Sequence, residues 1–328
     1  MTQIRAWRQT LVVLFGLLGG PLLNLPAHAQ NYPDRPIKVI TSIASGGTWD
    51  LFVRLIGNEL IKTLGKALVI EPRPGGAWLI SGRACAGAPA DGYTLCALSG
   101  ETLVYPEFLN KNPQYDPQKD FAPIINFFFT TQVLAVHSSL KVNSINDLVK
   151  AAKVRPNSLA YVAPGLSHKM YLEQINKQQA LDLIFVPFRG GADALNNMMQ
   201  GSIHMSFFGV TNFIPYLQEG SIKGLLVDGE IRSALFPDIP TIRELGYKGP
   251  VLRNYLGLVA PAGTPKPIID FLNAEVGKVL SNAEFKQKHM VAMGLEPIID
   301  TPEAFSSFLK KDRLEFQKLV QELNVEPQ

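Results

Sequence analysis

From Ile37 to Ser99 the chain repeats one grammar: an apolar strand, a glycine-bearing turn, then a helix with its apolar positions on one face. IKVITSI runs through a Gly-Gly turn into a helix over about residues 50–64. ALVIEP (67–72) runs through RPGGA into a helix over about 79–87, and YTLCALS (93–99) closes the unit. Strand, helix, strand, helix, strand in that order requires crossover connections, and right-handed crossovers produce a parallel sheet covered by helices. In the first helix Leu51, Phe52, Leu55 and Ile56 share a face, while Arg54, Asn58 and Glu59 lie off it, as in a helix resting on a sheet.

The grammar then recurs. LAYVA (159–163) leads through PGLSH into a helix over about 168–178, and LIFVPF (183–188) leads through RGGA into a helix over about 192–200. HMSFFG (204–209) and GLLVDG (224–229) follow as strands. An extended stretch, FAPIINFFFTTQVLAVH (121–137), joins the two units, and another, NYLGLVAPA (254–262), leads to C-terminal helices over about 265–281, 283–293 and 302–324. Two such crossings are what an α/β protein with two lobes and two connecting strands at a hinge requires. The expected division is residues 30–134 with 257–328 in the first lobe and 135–256 in the second, each lobe a mostly parallel sheet flanked by helices.

Residues 1–29 stand apart. They carry Arg5 and Arg8, the apolar run LVVLFGLLGG, and Ala27-His28-Ala29 before Gln30, which reads as a secretory signal peptide cleaved near Ala29. Removing it takes away two arginines and no acid, lowering the formal charge from +3 to +1, so no basic field for nucleic acid is expected. In an exported chain Cys85 and Cys96 allow one disulfide, although two free buried thiols are the plainer reading.

In an open parallel sheet the strand-to-helix turns all lie at the carboxyl edge, where ligands bind. Helix N-termini there present free backbone N–H groups that suit an anion without any basic side chain. Gly46 and Gly47 admit close backbone approach, and glycines recur in equivalent turns at 75–76, 165 and 190–191. If the two carboxyl edges face each other, a cleft for a small anion forms between them.

Several blocks in order carry a family resemblance: YPDRPIKVI before the Gly-Gly turn and Asp50, then EPRPGG, APADGYTL, YDPQKDFAPI, VPFRGG, FPDIPTIRELGY and GLVAPAGTPKPIIDFLN. Together, from Tyr32 to about Thr301, they resemble the Bug family, extracytoplasmic solute receptors of tripartite tricarboxylate transporters. The resemblance implies a type II periplasmic binding protein, a monomer without cofactor or metal. Such a protein closes on a small carboxylate by hinge motion and passes it to membrane permease subunits.

Carried over by position, the resemblance implies contacts from Ser45, Gly47, Thr48, Trp49 and Asp50 in the first turn. It implies Ala77 and Trp78 in the second, and Ser99, Gly100 and Glu101 in the third. The second lobe contributes Pro164, Gly165, Leu166, Ser167 and His168, then Arg189 and Gly190, then Phe208, Gly209 and Thr211. Three departures from the family pattern, Ala77-Trp78 with the residues after it, Glu101, and His204 in place of a common aspartate, argue against a plain dicarboxylate as ligand.

Individual residues keep alternatives. Arg189 suits a bidentate clamp on a carboxylate or an ion pair between lobes. Glu101 suits a ligand amine or a solvated rim. Trp49 and Trp78 suit an aromatic wall against the ligand or plugs in the core, and Ser167 next to His168 suits a helix cap or an anion contact. A hydrolase would need its nucleophile in a motif such as G-x-S-x-G, which the chain lacks. A sensor that presents its ligand to a two-component kinase needs the same clamp as a transport receptor, and the sequence leaves both open.

Overall fold

The computed structural model describes residues 32–163, 166–187, 191–249 and 251–327; the expected signal peptide lies outside them. The first unit forms β1 (Ile37–Thr41), α1 (Thr48–Leu64), β2 (Leu68–Pro72), α2 (Leu79–Ala86) and β3 (Thr94–Ser99). β1 lies between β2 and β3 and is parallel to both, with Val39 opposite Ile70 on one side and Leu95 on the other. Two one-turn helices, α3 (Gly100–Leu103) and α4 (Pro106–Leu109), follow β3.

The extended run at 121–137 is two strands in two sheets. β4 (Phe121–Thr130) belongs to the first and β5 (Gln132–His137) to the second, so the chain changes sheets at Thr131 with no intervening loop. The second unit comprises α5 (Ile145–Val154), β6 (Ala160–Val162), α6 (Leu166–Gln179), β7 (Ile184–Phe185), α7 (Gly191–Met199), β8 (Met205–Gly209), α8 (Ile214–Glu219) and β9 (Ile222–Val227). The chain returns through β10 (Asn254–Pro261), followed by α9 (Lys266–Ser281), α10 (Ala283–His289), β11 (Leu295–Pro297) and α11 (Pro302–Leu323).

The sheet orders are β11-β4-β10-β3-β1-β2 and β7-β6-β8-β5-β9. Most strands of each sheet run one way, as expected. The two connecting strands are inserted in reverse: β10 is antiparallel to β3 and β4, and β5 is antiparallel to β8 and β9. Both faces of the first sheet are buried. Ile37 and Val39 pack with Phe52 of α1 and Val276 of α9, while Ile40 packs on the opposite face with Phe305 and Phe316 of α11. That two-sided burial is why β1 reads as a nearly unbroken apolar run. A Cβ at Gly257 would come 2.2 Å from the Phe305 ring, so only glycine lets β10 pass beneath it.

Three local readings change. Cys85 of α2 and Cys96 of β3 are joined in a disulfide, in place of the two free thiols that were the plainer expectation. α5 goes unannounced by the turn grammar; it starts at Ser144, whose hydroxyl accepts the Asp147 amide as an N-cap. The helix expected over 283–293 stops at His289, and a single 3-10 turn at Val291–Met293 ends at Gly294, whose φ of 65° redirects the chain into β11.

Candidate functional site

A cavity of about 430 Å³ opens at the carboxyl edge of β1 and β3. Ser42, Ile43 and Ala44 line it directly after β1, with Trp49 from α1. Pro74, Gly75 and Trp78 enter from the turn after β2, and Ser99 and Glu101 from the start of α3. His168 of α6 closes it from the second sheet, and Asn254 lies at the foot of β10. All three turns of the first unit thus converge on one space, faced by α6 of the second unit.

The first turn is built from inside. Asp50 is 4% exposed; one of its carboxylate oxygens accepts the Gly46 amide at 3.0 Å, and both are bridged by Arg54 at 3.0 Å. The Arg54 hydrogen bonds hold its carboxyl below the ordinary aspartate range. Asp50 is therefore committed to its own turn, where it secures Gly46 at φ 95°. The N-cap of α1, Gly47, has no side-chain partner, and the amides of Thr48 and Trp49 meet no protein acceptor among the described residues. Ser45 and Gly47 are exposed on the turn and Thr48 is half-buried, and their side chains are not walls of the cavity.

Trp49 is tied to the core and also lines the cavity. Its indole N–H donates to Thr130 Oγ1 at 3.0 Å and its ring meets Phe128 edge-on at 5.7 Å, which fixes it to the core while it walls the cavity. Trp78 is held at φ 67° by a bond from its amide to the Gly75 carbonyl and by Ser81 Oγ, which donates to the Trp78 carbonyl, both at 3.0 Å. A left-handed conformation costs a bulky residue about 1–2 kcal/mol, which the surrounding bonds offset to fix where this indole stands. Ala77 precedes it within the 3-10 turn Gly76–Trp78.

In the third turn Ser99 is buried and caps α3 without a side-chain bond. Gly100 fits beneath Tyr105 and Tyr255, whose rings would lie 3.1 and 3.2 Å from an added Cβ; it is a packing glycine. Glu101 is half-buried at the wall. Behind it, Asp312 of α11 accepts the Tyr255 hydroxyl at 3.2 Å and is pushed up to about 8, chiefly by complete burial and further by the Glu101 charge.

On the second side, Pro164, Gly165, Arg189 and Gly190 lie outside the described residues, and Leu166 and Ser167 are placed as the first backbone turn of α6. His168 is 3% exposed, its ring edge-on to Phe207 at 5.7 Å, and burial pushes it down to about 4. The imidazole facing the cavity is neutral at physiological pH, a hydrogen-bonding group rather than a cation.

Phe208, Gly209 and Thr211 gather elsewhere, at the junction of the sheets. Phe208 packs on Phe213, the Gly209 carbonyl accepts from Asn212 at 3.1 Å, and the Thr211 hydroxyl donates to the Met293 carbonyl. His204 lies at the amino end of β8, where Nδ1 accepts the Ala160 amide at 3.0 Å. That is the edge opposite the turns, so the His204 departure has no bearing on a ligand bound at them.

Sequence reasoning missed Ser42 and Asn254. Ser42 is 4% exposed and its Oγ has no hydrogen-bond partner among the described residues, although a hydroxyl so buried is normally paired. Its signal was its position: it is the first residue past β1, on the same edge as the turn that follows.

The family profile described as tripartite tricarboxylate transporter family receptor matches residues 52–325. The sequence is 30% identical over 308 residues to a UPF0065 protein of Bordetella bronchiseptica, covering 93% of this chain and 91% of that one. Among solved structures, Rpa4515 of R. palustris with adipate superposes with a TM-score of 0.81 at 28% identity, covering 90% of this chain and 100% of the other. MatC of Rhodopseudomonas palustris with bound malate gives 0.74 at 25% identity, covering 88% and 100%. Two mixed sheets, a cleft where their carboxyl edges meet, and a family match across most of the sequence place the chain in the tripartite tricarboxylate transporter receptor family, a solute-binding receptor and not an enzyme.

Proposed function

We propose that this receptor captures a small carboxylate between two lobes in the periplasm and delivers it to the membrane permease subunits of a tripartite tricarboxylate transporter. The lobes are the two sheets with their helices, and the hinge is the pair of crossings at Thr131 and between β9 and β10. The observation that carries the reading is the pairing of an α1 N-terminus with no side-chain cap and a buried Ser42 hydroxyl with no partner among the described residues, at one cavity edge. Backbone dipole and hydroxyl donor together suit a carboxylate, and a neutral His168 adds a hydrogen-bonding group from the other lobe. The adipate and malate in two structural relatives support the same ligand class.

Binding that bridges the lobes stabilises the closed state through the ligand's differential affinity for it. A carboxylate present at 100 times its dissociation constant adds about 2.7 kcal/mol to stability, which a thermal-shift screen detects readily. A panel of aliphatic, hydroxylated, amino-bearing and aromatic acids is expected to give at least one such shift. No shift from any acid, with neutral analogues equally inert, overturns the reading.

A further inference from the structure

A second cavity, of about 850 Å³, lies on the far side of two residues that wall the first: Trp78 and Glu101 line both. One flank comes from α4 and the residues after α11, the other from α6, so it too runs between the sheets. The flanks are tied by Gln174 of α6, which donates to the Glu322 carboxylate of α11, and by Lys177 Nζ, which donates to the Glu322 carbonyl at 2.8 Å.

Much of its polar rim is already engaged. Glu173 accepts the Tyr161 hydroxyl at 2.5 Å, the Asn176 side chain is bonded to the backbone of Leu183, and Lys169 Nζ sits 4.4 Å over the Phe185 ring. The apolar part of the lining is Pro106, Leu109, Met170, Leu323 and Val325, with the edge of Tyr105, whose face is stacked on Phe316 at 3.9 Å; the acidic Asp182 and Glu326 line it as well. The volume falls within the roughly 300–1,000 Å³ typical of small-ligand sites.

We infer that the ligand is a carboxylate with an extended apolar tail, its head in the smaller cavity and its tail passing Trp78 into the larger one. This rests on the carboxylate reading above and narrows it. Trp78 holds its left-handed backbone because the indole is the shared wall along which the tail lies. A short dicarboxylate leaves the larger cavity unused and places its second charge toward the Glu101 side.

Calorimetric titration of the full mature protein with butanoate and with 6-phenylhexanoate tests this. Each methylene buried raises affinity about fourfold, so 6-phenylhexanoate is expected to bind at least tenfold more tightly. Leu109→Trp, which fills the groove, should abolish that gain and leave butanoate binding unchanged. Val325→Trp provides the same obstruction from the opposite chain segment should the first variant fail to fold. Equal affinity for the two acids, or a tail gain that survives both variants, overturns the inference while the carboxylate reading stands; binding of neither acid overturns the inference whatever shorter polar acids do.

Discussion

Gln132 and Asp228 bind each other twice at the point where the chain changes sheets. The Gln132 amide donates to Asp228 Oδ1 at 2.8 Å, and the Asp228 amide donates to the Gln132 carbonyl at 3.1 Å. One residue begins β5 and the other follows β9, so the pair clasps the two connections to each other. Arg253, just before β10, extends the clasp. Its Nε is 3.8 Å from Asp228, and its Nη2 is 2.8 Å from Glu296 of β11, a close ion contact that lacks the angle of a hydrogen bond. Thr131 joins by donating to the Glu296 carboxylate at 2.7 Å.

Asp228→Ala strands the Gln132 amide and removes one of the two acids facing a buried guanidinium. Losses of about 2–4 kcal/mol follow from an unsatisfied buried donor and a half-broken buried ion pair. Asp228→Asn retains the acceptor and should lose less than half of that. Urea unfolding reads both variants as a shift in midpoint at constant m.

Burial also raises Asp228 to about 7 despite the nearby Arg253, and Asp312 to about 8, so the folded protein holds more protons than the unfolded chain between pH 4 and those values. Their contribution is fully present below pH 4 and is lost as pH rises through 7 and 8. His168, pushed down to about 4, acts oppositely: its contribution is present above pH 6.5 and is lost as pH falls toward 4. Above pH 6.5 only the acids of this trio act, and stability should decline toward pH 8.5. Asp312→Asn, which keeps an acceptor for Tyr255, should flatten the decline by about 1–2 kcal/mol in unfolding measured at pH 6.5, 7.5 and 8.5.

The Cys85–Cys96 bridge closes a loop of eleven residues between α2 and β3. Chain-entropy reasoning gives about 3 kcal/mol for a loop of that size. Reductant should lower the melting temperature of the native protein and leave a Cys85→Ala/Cys96→Ala double variant unmoved. If reductant leaves the native protein unmoved, the bridge adds nothing to its stability.

What was legible in the sequence follows from what local pattern encodes. β1, α1, β2, α2 and β3 were readable because each strand ends in a glycine turn and each helix carries one apolar stripe, and the same holds for β6 to β8. The disulfide was not, because pairing depends on how α2 lies against β3, a tertiary fact. α5, β11 and the end of α10 depend on a serine cap and a left-handed glycine rather than on periodicity. At the site, turn position located Trp49, Trp78, Ser99, Glu101 and His168 at the cavity. Turn position did not take in the i,i+4 spacing that pairs Asp50 with Arg54 on one helix, and it could not reveal that Thr211 is occupied by the Met293 carbonyl, which only folding brings near.

Ser42 and Asp50 sit at opposite ends of the same turn and should respond oppositely to truncation. The Asp50 carboxylate holds Gly46 and Arg54, so Asp50→Ala removes three hydrogen bonds and should cost the empty protein about 1–3 kcal/mol. Ser42 Oγ holds nothing among the described residues, so Ser42→Ala relieves a buried, unpaired hydroxyl and should leave the empty protein as stable or up to about 1 kcal/mol more so. If that hydroxyl donates to the bound carboxylate, the same substitution weakens binding by about 1.5–3 kcal/mol, roughly 10- to 100-fold, the range for a hydrogen bond to a charged group. Paired thermal melts with and without a carboxylate ligand separate the two effects. A Ser42→Ala protein that melts earlier when empty, yet gains the full ligand-induced shift, would assign the hydroxyl to the fold rather than to the ligand.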